Sequence, residues 1–214
     1  MKNHYDVIVL GAGGMGSATL VQLARRGVKA CGIEQFGAAH DRGSSHGETR
    51  IIRKAYFEHP DYVPLLNRSF ELWQALADEL KHELQVTNGL IVSGKPDSLT
   101  IQGLKSCYGK YALPHEQWTR QETRKHFPQF RFPESHTVFF DPSGGYLKVE
   151  QCVEAHLELA RKLGATLHFN ERIVSWLARH SGVTVKTDRR ELHAGKLILT
   201  PGAWAVDVLA TYNI

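Results

Sequence analysis

The sequence predicts an α/β fold built on a parallel sheet, and three observations predict it. A short apolar run, Val7–Leu10 (VIVL), breaks at once into the glycine-rich turn GAGGMG. Leu20, Leu23 and Ala24 then recur at helical spacing as far as Arg25-Arg26-Gly27, a basic last turn with a glycine stop. A second run, Lys29–Glu34 (KACGIE), closes on an acid. Strand, turn, helix, strand is the order of a parallel crossover.

Each part has a physical reason. VIVL is apolar without alternation and rich in β-branched residues, as suits a strand buried on both faces. Gly11, Gly13 and Gly16 carry the G-x-G-x-x-G spacing. The first permits the tight turn, the second lets backbone approach a pyrophosphate, and the third lets the helix lie close on the sheet. Unpaired N–H groups at the helix start favour an anion by about 0.3–1 kcal/mol. Glu34 stands where an acid accepts hydrogen bonds from ribose hydroxyls, and its charge disfavours a 2′-phosphate. The unit therefore reads as a Rossmann-like dinucleotide site; by itself it does not separate FAD from NAD.

Past Glu34 the chain keeps a loop of glycines, hydroxyls and cations, QFGAAHDRGSSHGETRIIRKAYFEH, where an NAD enzyme would usually continue into another helix and strand. Gly43, Ser44, Ser45 and Gly47 can offer N–H and hydroxyl groups to a phosphate or flavin, and Ile51-Ile52 reads as a short strand between Arg50 and Arg53. From Pro60 an amphipathic helix places Val63, Leu66, Phe70, Trp73, Ala77 and Leu80 on one face, read as core. Thr87–Gly94 is a strand, Ser98–Tyr111 and Arg120–His126 are weaker helices, and Thr137–Asp141 is a strand followed by the turn Asp141–Gly145. Leu147–Leu163 is a second amphipathic helix, stopped by Gly164. Thr166–Phe169 should join the parallel sheet, Glu171–Trp176 should lead into a β meander through Val183–Lys186, and Lys196–Thr200 should return as a parallel strand before Pro201-Gly202-Ala203-Trp204. Trp204 reads as packing rather than chemistry.

Composition narrows the function. A net charge of +4 over 214 residues is spread along the chain with no basic block, which argues against a nucleic-acid partner. Cys31, Cys107 and Cys152 lack the spacing of a disulfide or metal framework, so no metal is expected and a reducing compartment is. Cys107 and Cys152 read as inert thiols. No run approaches a membrane span, and the apolar run after Asp6 is too short for a signal peptide. A cytoplasmic protein is expected.

GAGGMG, Glu34, the block GSSHGETRIIRKAY and TPGAW (Thr200–Trp204) together resemble the monomeric sarcosine oxidase family, which includes N-methyl-tryptophan oxidase and L-pipecolate oxidase. The DRGSSHG loop is most similar to the pipecolate branch; bacterial sarcosine oxidases tend to carry a second histidine at the place of Ser45. The resemblance covers the whole chain. It implies an FAD domain with a parallel sheet and β meander, in residues 1–82 and 144–214, and part of a mixed-sheet substrate domain in residues 83–143. It implies FAD at Gly11, Ala12, Gly13, Gly14, Met15, Gly16, Glu34, Gln35, Arg42, Gly43, Ser44, Ser45, His46 and Arg50, and at Val174, Gly202 and Trp204, with Val174 meeting adenine through its backbone. His46 and Arg50 would serve the flavin ring, Arg53 the substrate carboxylate, and Tyr56 and Glu58 the lining or gating of the substrate cavity.

The implied reaction oxidises the C–N bond of sarcosine, L-pipecolate or another N-alkyl or cyclic secondary amino acid, with dioxygen as acceptor, giving imine and hydrogen peroxide. Relatives run further, and the family's flavin-tethering cysteine and dioxygen-activating lysine match nothing up to Ile214. A peroxisomal address, in a eukaryotic relative, would lie there too. The alternative is a catalytically incomplete FAD- or dinucleotide-binding module. A third reading, an NAD-dependent dehydrogenase, is opposed by the HDRGSSHGETR loop.

Overall fold

The structure is a computed structural model and describes residues 3–210; Asn213 and Ile214 lie outside them. In chain order the elements are β1 (His4–Leu10), α1 (Gly14–Arg25), β2 (Ala30–Ile33), β3 (Thr49–Ile52), α2 (Val63–Leu80), β4 (Gln85–Val86), β5 (Leu90–Gly94), α3 (Leu99–Tyr111) and β6 (Glu116–Trp118). Then come α4 (Arg120–His126), β7 (Thr137–Asp141), β8 (Gly145–Lys148), α5 (Val149–Lys162), β9 (Thr166–His168), β10 (Ile173–Arg179), β11 (Gly182–Thr187), β12 (Glu191–Leu199) and α6 (Ala205–Ala210). Short 3-10 turns precede α2 and α6. The chain falls into two compact units: one ends at Glu48 and resumes at Val149, and the other is Thr49–Lys148.

The first unit is a six-stranded sheet in the order β10-β11-β12-β1-β2-β9. β12, β1, β2 and β9 run parallel, and β10, β11 and β12 form the antiparallel meander. Ile8 and Val9 are fully buried, as a central strand without alternation requires. α1 turns Leu20, Val21 and Ala24 inward and lies against α5. A side chain at Gly32 would stand 2.6 Å from Leu20 Cδ1, so glycine is what lets α1 settle on β2. Cys31 and Ile33, whose side chains alternate with Gly32 along the strand, join Ile8, Val183, Val185, Leu192 and Ala194 in the core on the other face of the sheet.

The second unit holds two antiparallel three-stranded sheets, β3-β8-β4 and β5-β7-β6. Ile101, Leu104, Cys107 and Tyr108 of α3 pack with Ala55, Val63 and Phe139. A capping box between Thr119 and Glu122 opens α4. On α2 only Val63 and Leu76 are fully buried, so the expected stripe through Leu66, Phe70, Trp73, Ala77 and Leu80 is mostly half-buried rather than core.

The borders of the two compact units lie at Glu48/Thr49 and Lys148/Val149. Leu147 and Lys148, expected in the helix that follows, belong instead to β8, which bonds β3 on one side and β4 on the other. β3 and α2 therefore belong with the strands next in the chain. All three cysteines are buried and free. Among the described residues no helix is long and apolar enough to cross a membrane, and no three His, Cys, Asp or Glu side chains gather to hold a metal.

Candidate functional site

The site in the first unit begins where β1 gives way to α1. Gly11 has φ +87°, and a Cβ there would lie 2.3 Å from the Thr200 carbonyl oxygen. A Cβ at Gly16 would lie 1.8 Å from the Gly11 carbonyl oxygen. Neither position admits any residue but glycine without moving backbone. Gly13 differs: a Cβ there meets nothing within 4 Å and would project into open space. No side chain caps the start of α1, so its first N–H groups remain available to a ligand. Thr200, absent from the expected site, ties β12 to the turn: its hydroxyl donates to the carbonyls of Leu10 (2.8 Å) and Gly11 (2.9 Å). Its place at the end of a parallel strand, just before Pro201-Gly202, was the signal for it.

Glu34, at the end of β2, is buried. One carboxylate oxygen accepts the Ala12 N–H at 2.9 Å and the other the Phe36 N–H at 3.1 Å. His40 Nε2 stands 3.4 Å from that second oxygen. Phe36, His40 and Trp204 form an aromatic group, with Phe36 and Trp204 ring centroids 5.5 Å apart and Phe36 and His40 4.8 Å apart. Sequence reasoning missed Phe36 and His40, which only the fold brings to Trp204.

A cavity of about 640 Å³ opens over these groups, a size suited to a cofactor. Gly11, Ala12, Gly13, Gly14, Met15, Glu34, Gln35, Gly43, Ser44, Ser45, Val174, Gly202 and Trp204 all line it. The loop after β2 lies on the start of α1, since a Cβ at Gly14 would come 2.8 Å from Ser45 Oγ. Gly16, Arg42 and His46 do not line the cavity: Gly16 is sealed inside the turn, and the Arg42 guanidinium lies 4.8 Å over the Phe36 ring. His46 stands beside Glu150 instead. Glu171 and Arg172, also missed, are in the lining. Glu171 is buried, and its carboxylate accepts from Thr187 Oγ1 at 2.7 Å and forms an ion pair with Arg190, whose Nε lies 3.0 Å away.

The remaining expected residues belong to the second unit. Arg50 is exposed on β3. The Arg53 guanidinium carbon sits 4.6 Å over the Tyr56 ring and 4.8 Å over the Phe57 ring, with Glu58 at 3.4 Å. Arg53 Nε is buried and, among the described residues, has no acceptor. Arg53, Tyr56 and Glu58 are thus gathered together, while His46 belongs to the other unit.

The donor set fits a dinucleotide-type cofactor such as FAD. Open space faces Gly13, an uncapped helix start can take phosphate oxygens, and a buried carboxylate can accept hydroxyls.

Comparison with known proteins agrees. Residues 6–212 match the family model described as FAD dependent oxidoreductase. The chain is 41% identical over its whole length to the monomeric sarcosine oxidase of Streptomyces avermitilis, covering 56% of that protein. It is 33% identical, over 98% of the chain and 57% of the relative, to the N-methyl-L-tryptophan oxidase of Yersinia pestis. The chain therefore spans little more than half the length of these relatives. Among solved structures, NikD, an amino acid oxidase of nikkomycin biosynthesis, superposes with a TM-score of 0.88 at 30% identity, covering 98% of this chain and 54% of its own. Glycine oxidase from Geobacillus kaustophilus, at 22% identity and a TM-score of 0.86 over 99% of this chain and 59% of its own, shares the fold.

Proposed function

The chain belongs to the FAD dependent oxidoreductase family, and from that premise we propose that it oxidises the C–N bond of a secondary-amine amino acid. The substrate is sarcosine, L-pipecolate or a similar N-alkyl amino acid, and dioxygen is the acceptor. FAD held there would supply the two-electron oxidation of the carbon beside the amine to an imine, with dioxygen as the terminal acceptor and hydrogen peroxide as its product.

The protein's part is binding and charge. The N–H groups at the start of α1 hold the pyrophosphate, with Gly13 and Gly14 allowing close approach. Glu34 accepts the ribose hydroxyls and excludes a 2′-phosphate. The Val174 backbone meets adenine, and Gly202 leaves room for the cofactor beside β12. His46 and Arg50 would serve the flavin ring, with the Arg50 guanidinium favouring its reduced, anionic form. Arg53 holds the substrate carboxylate, and Tyr56 and Glu58 line its approach.

The observation that carries the substrate assignment is the state of Arg53. Its Nε is buried without an acceptor while two rings hold the guanidinium in place. Such a group calls for an incoming oxygen, and the planar fork matches a carboxylate. The 41% identity to a sarcosine oxidase supports the amine half of the assignment.

The purified chain should show the visible bands of oxidised flavin and release peroxide with sarcosine or L-pipecolate. Flavin bands without turnover would single out the second reading, a dinucleotide-binding module. A folded, colourless protein that retains NAD would overturn both.

A further inference from the structure

We propose that Glu150 is a positioning residue for the cofactor: its carboxylate clasps the backbone at Gly47 and Glu48 and so holds the Gly43–His46 loop in the shape that meets FAD. The proposal rests on the reading of FAD in the cavity given above.

The Gly47 N–H donates to Glu150 Oε1 at 2.7 Å, and the Glu48 N–H donates to the same oxygen at 3.2 Å. Both residues are left-handed, with φ +98° at Gly47 and +65° at Glu48. Glycine takes that conformation freely, but glutamate does not, so the backbone at Glu48 needs an outside hold. The Val149 N–H, donating to the Glu48 carbonyl at 3.2 Å, grips the same residue from its other side.

The clasp is mounted on a rigid element. Glu150 lies in the first turn of α5, where the helix dipole favours a carboxylate, and α5 packs against α1. Partial burial works to raise the Glu150 pKa. The N–H groups of Glu48, of Glu150 itself and of Gly47, with His46 nearby, outweigh it and hold the carboxyl below its ordinary range. The group is therefore charged at neutral pH, and charge-assisted bonds are the stronger kind.

The clasped backbone is continuous with the cavity lining. Gly43, Ser44 and Ser45 line the cavity, and Ser45 lies against Gly14 at the start of α1. A loop this short transmits a shift at Gly47 directly to Ser45 and His46. Among the described residues the side chain of Glu150 does not line the cavity, so its influence on the cofactor passes through the loop.

Two readouts test the idea. In the cofactor-free chain, hydrogen exchange at the Gly47 and Glu48 amides should be slow, and Glu150→Ala should speed it at least about tenfold, with Glu150→Gln between the two. In FAD titrations followed by visible absorbance and circular dichroism, Glu150→Ala should raise the dissociation constant about tenfold and alter the flavin dichroism. Its unfolding midpoint should stay close to that of the wild type. Glu154→Ala, an exposed change on the same helix, should alter neither. Should Glu150→Ala fold poorly, Glu150→Gln decides, since it keeps the shape and one neutral acceptor. Unchanged exchange at both amides, or faster exchange with unchanged FAD affinity, overturns the role of Glu150. No uptake of FAD by the wild-type chain overturns the cofactor reading itself, which is a different result from uptake that ignores Glu150.

Discussion

At the turn from Leu10 to Gly16 the local surface is made by leaving side chains out. Backbone carbonyls at Thr200 and Gly11 occupy the space where Cβ atoms would go, and the N–H groups of α1 are left bare. In the segment from Arg53 to Glu58 the surface is made by putting side chains in: one guanidinium rests on two rings, beside a carboxylate. At Gly11 and Gly16 the first construction tolerates no substitution, because backbone cannot yield. The second can lose a group and still fold, since flexible side chains adjust around the gap.

The largest expected effect lies in the first region. Gly16→Ala sets a methyl 1.8 Å from the Gly11 carbonyl oxygen; unfolding should become easier by about 3 kcal/mol or more, with FAD uptake lost. Denaturant titration measures it, and a variant as stable as wild type would end the claim that this turn is closed by backbone.

Next comes the frame behind the turn. Burial above all, together with the charge of Arg25, pushes the His156 imidazole of α5 down to about 4, against a hydrogen bond to Cys152 backbone. The unfolded imidazole takes its proton near pH 6.5. Stability from this group is therefore whole above that pH and is lost as the pH falls toward 4, amounting to roughly 3 kcal/mol at the acid limit. His156→Gln should flatten that part of the stability–pH curve; curves for variant and wild type that run parallel from pH 7 to 4 would refute it.

In the second region, Arg53→Lys keeps the charge but loses the fork, and KM for the amino acid should rise about thirtyfold with the chain still folded. Peroxide release against substrate concentration reads this, and an unchanged KM would remove Arg53 from the carboxylate. Smallest is Gly13→Ala, whose methyl meets nothing in the protein. Its melting point should match wild type while FAD affinity falls about tenfold. If Gly13→Ala and Gly16→Ala behaved alike, the distinction between a packed glycine and a cofactor-facing one would fail.

The parallel strands were largely legible as short runs beside a glycine: β2 and β9 fall within the expected segments, while β1 and β12 begin earlier than the expected Val7 and Lys196, at His4 and Glu191. β4, β6 and β8 were not, since two to four residues carry no period and exist as strands only through their partners. β8 pairs with β3 and β4, and the compact unit that holds all three ends at Lys148. Gly11 to Gly16, Glu34 and the Gly43–Ser45 loop were expected from residue type and order, and all of these but Gly16 line the cavity. Val174 came from resemblance alone, and Thr200, His40, Glu171 and Glu150 came from neither.

Residue chemistry along the chain was enough for the βαβ turn and for the acid at the end of its second strand. Those depend on local rules: only glycine accepts the conformation and space at Gly11 and Gly16. Which side chains complete the cavity is decided by the folded structure. Thr200 meets Gly11 from a neighbouring strand, and Glu150 meets Gly47 from 103 residues further along the chain. No local pattern encodes a contact whose energy exists only after distant segments have packed.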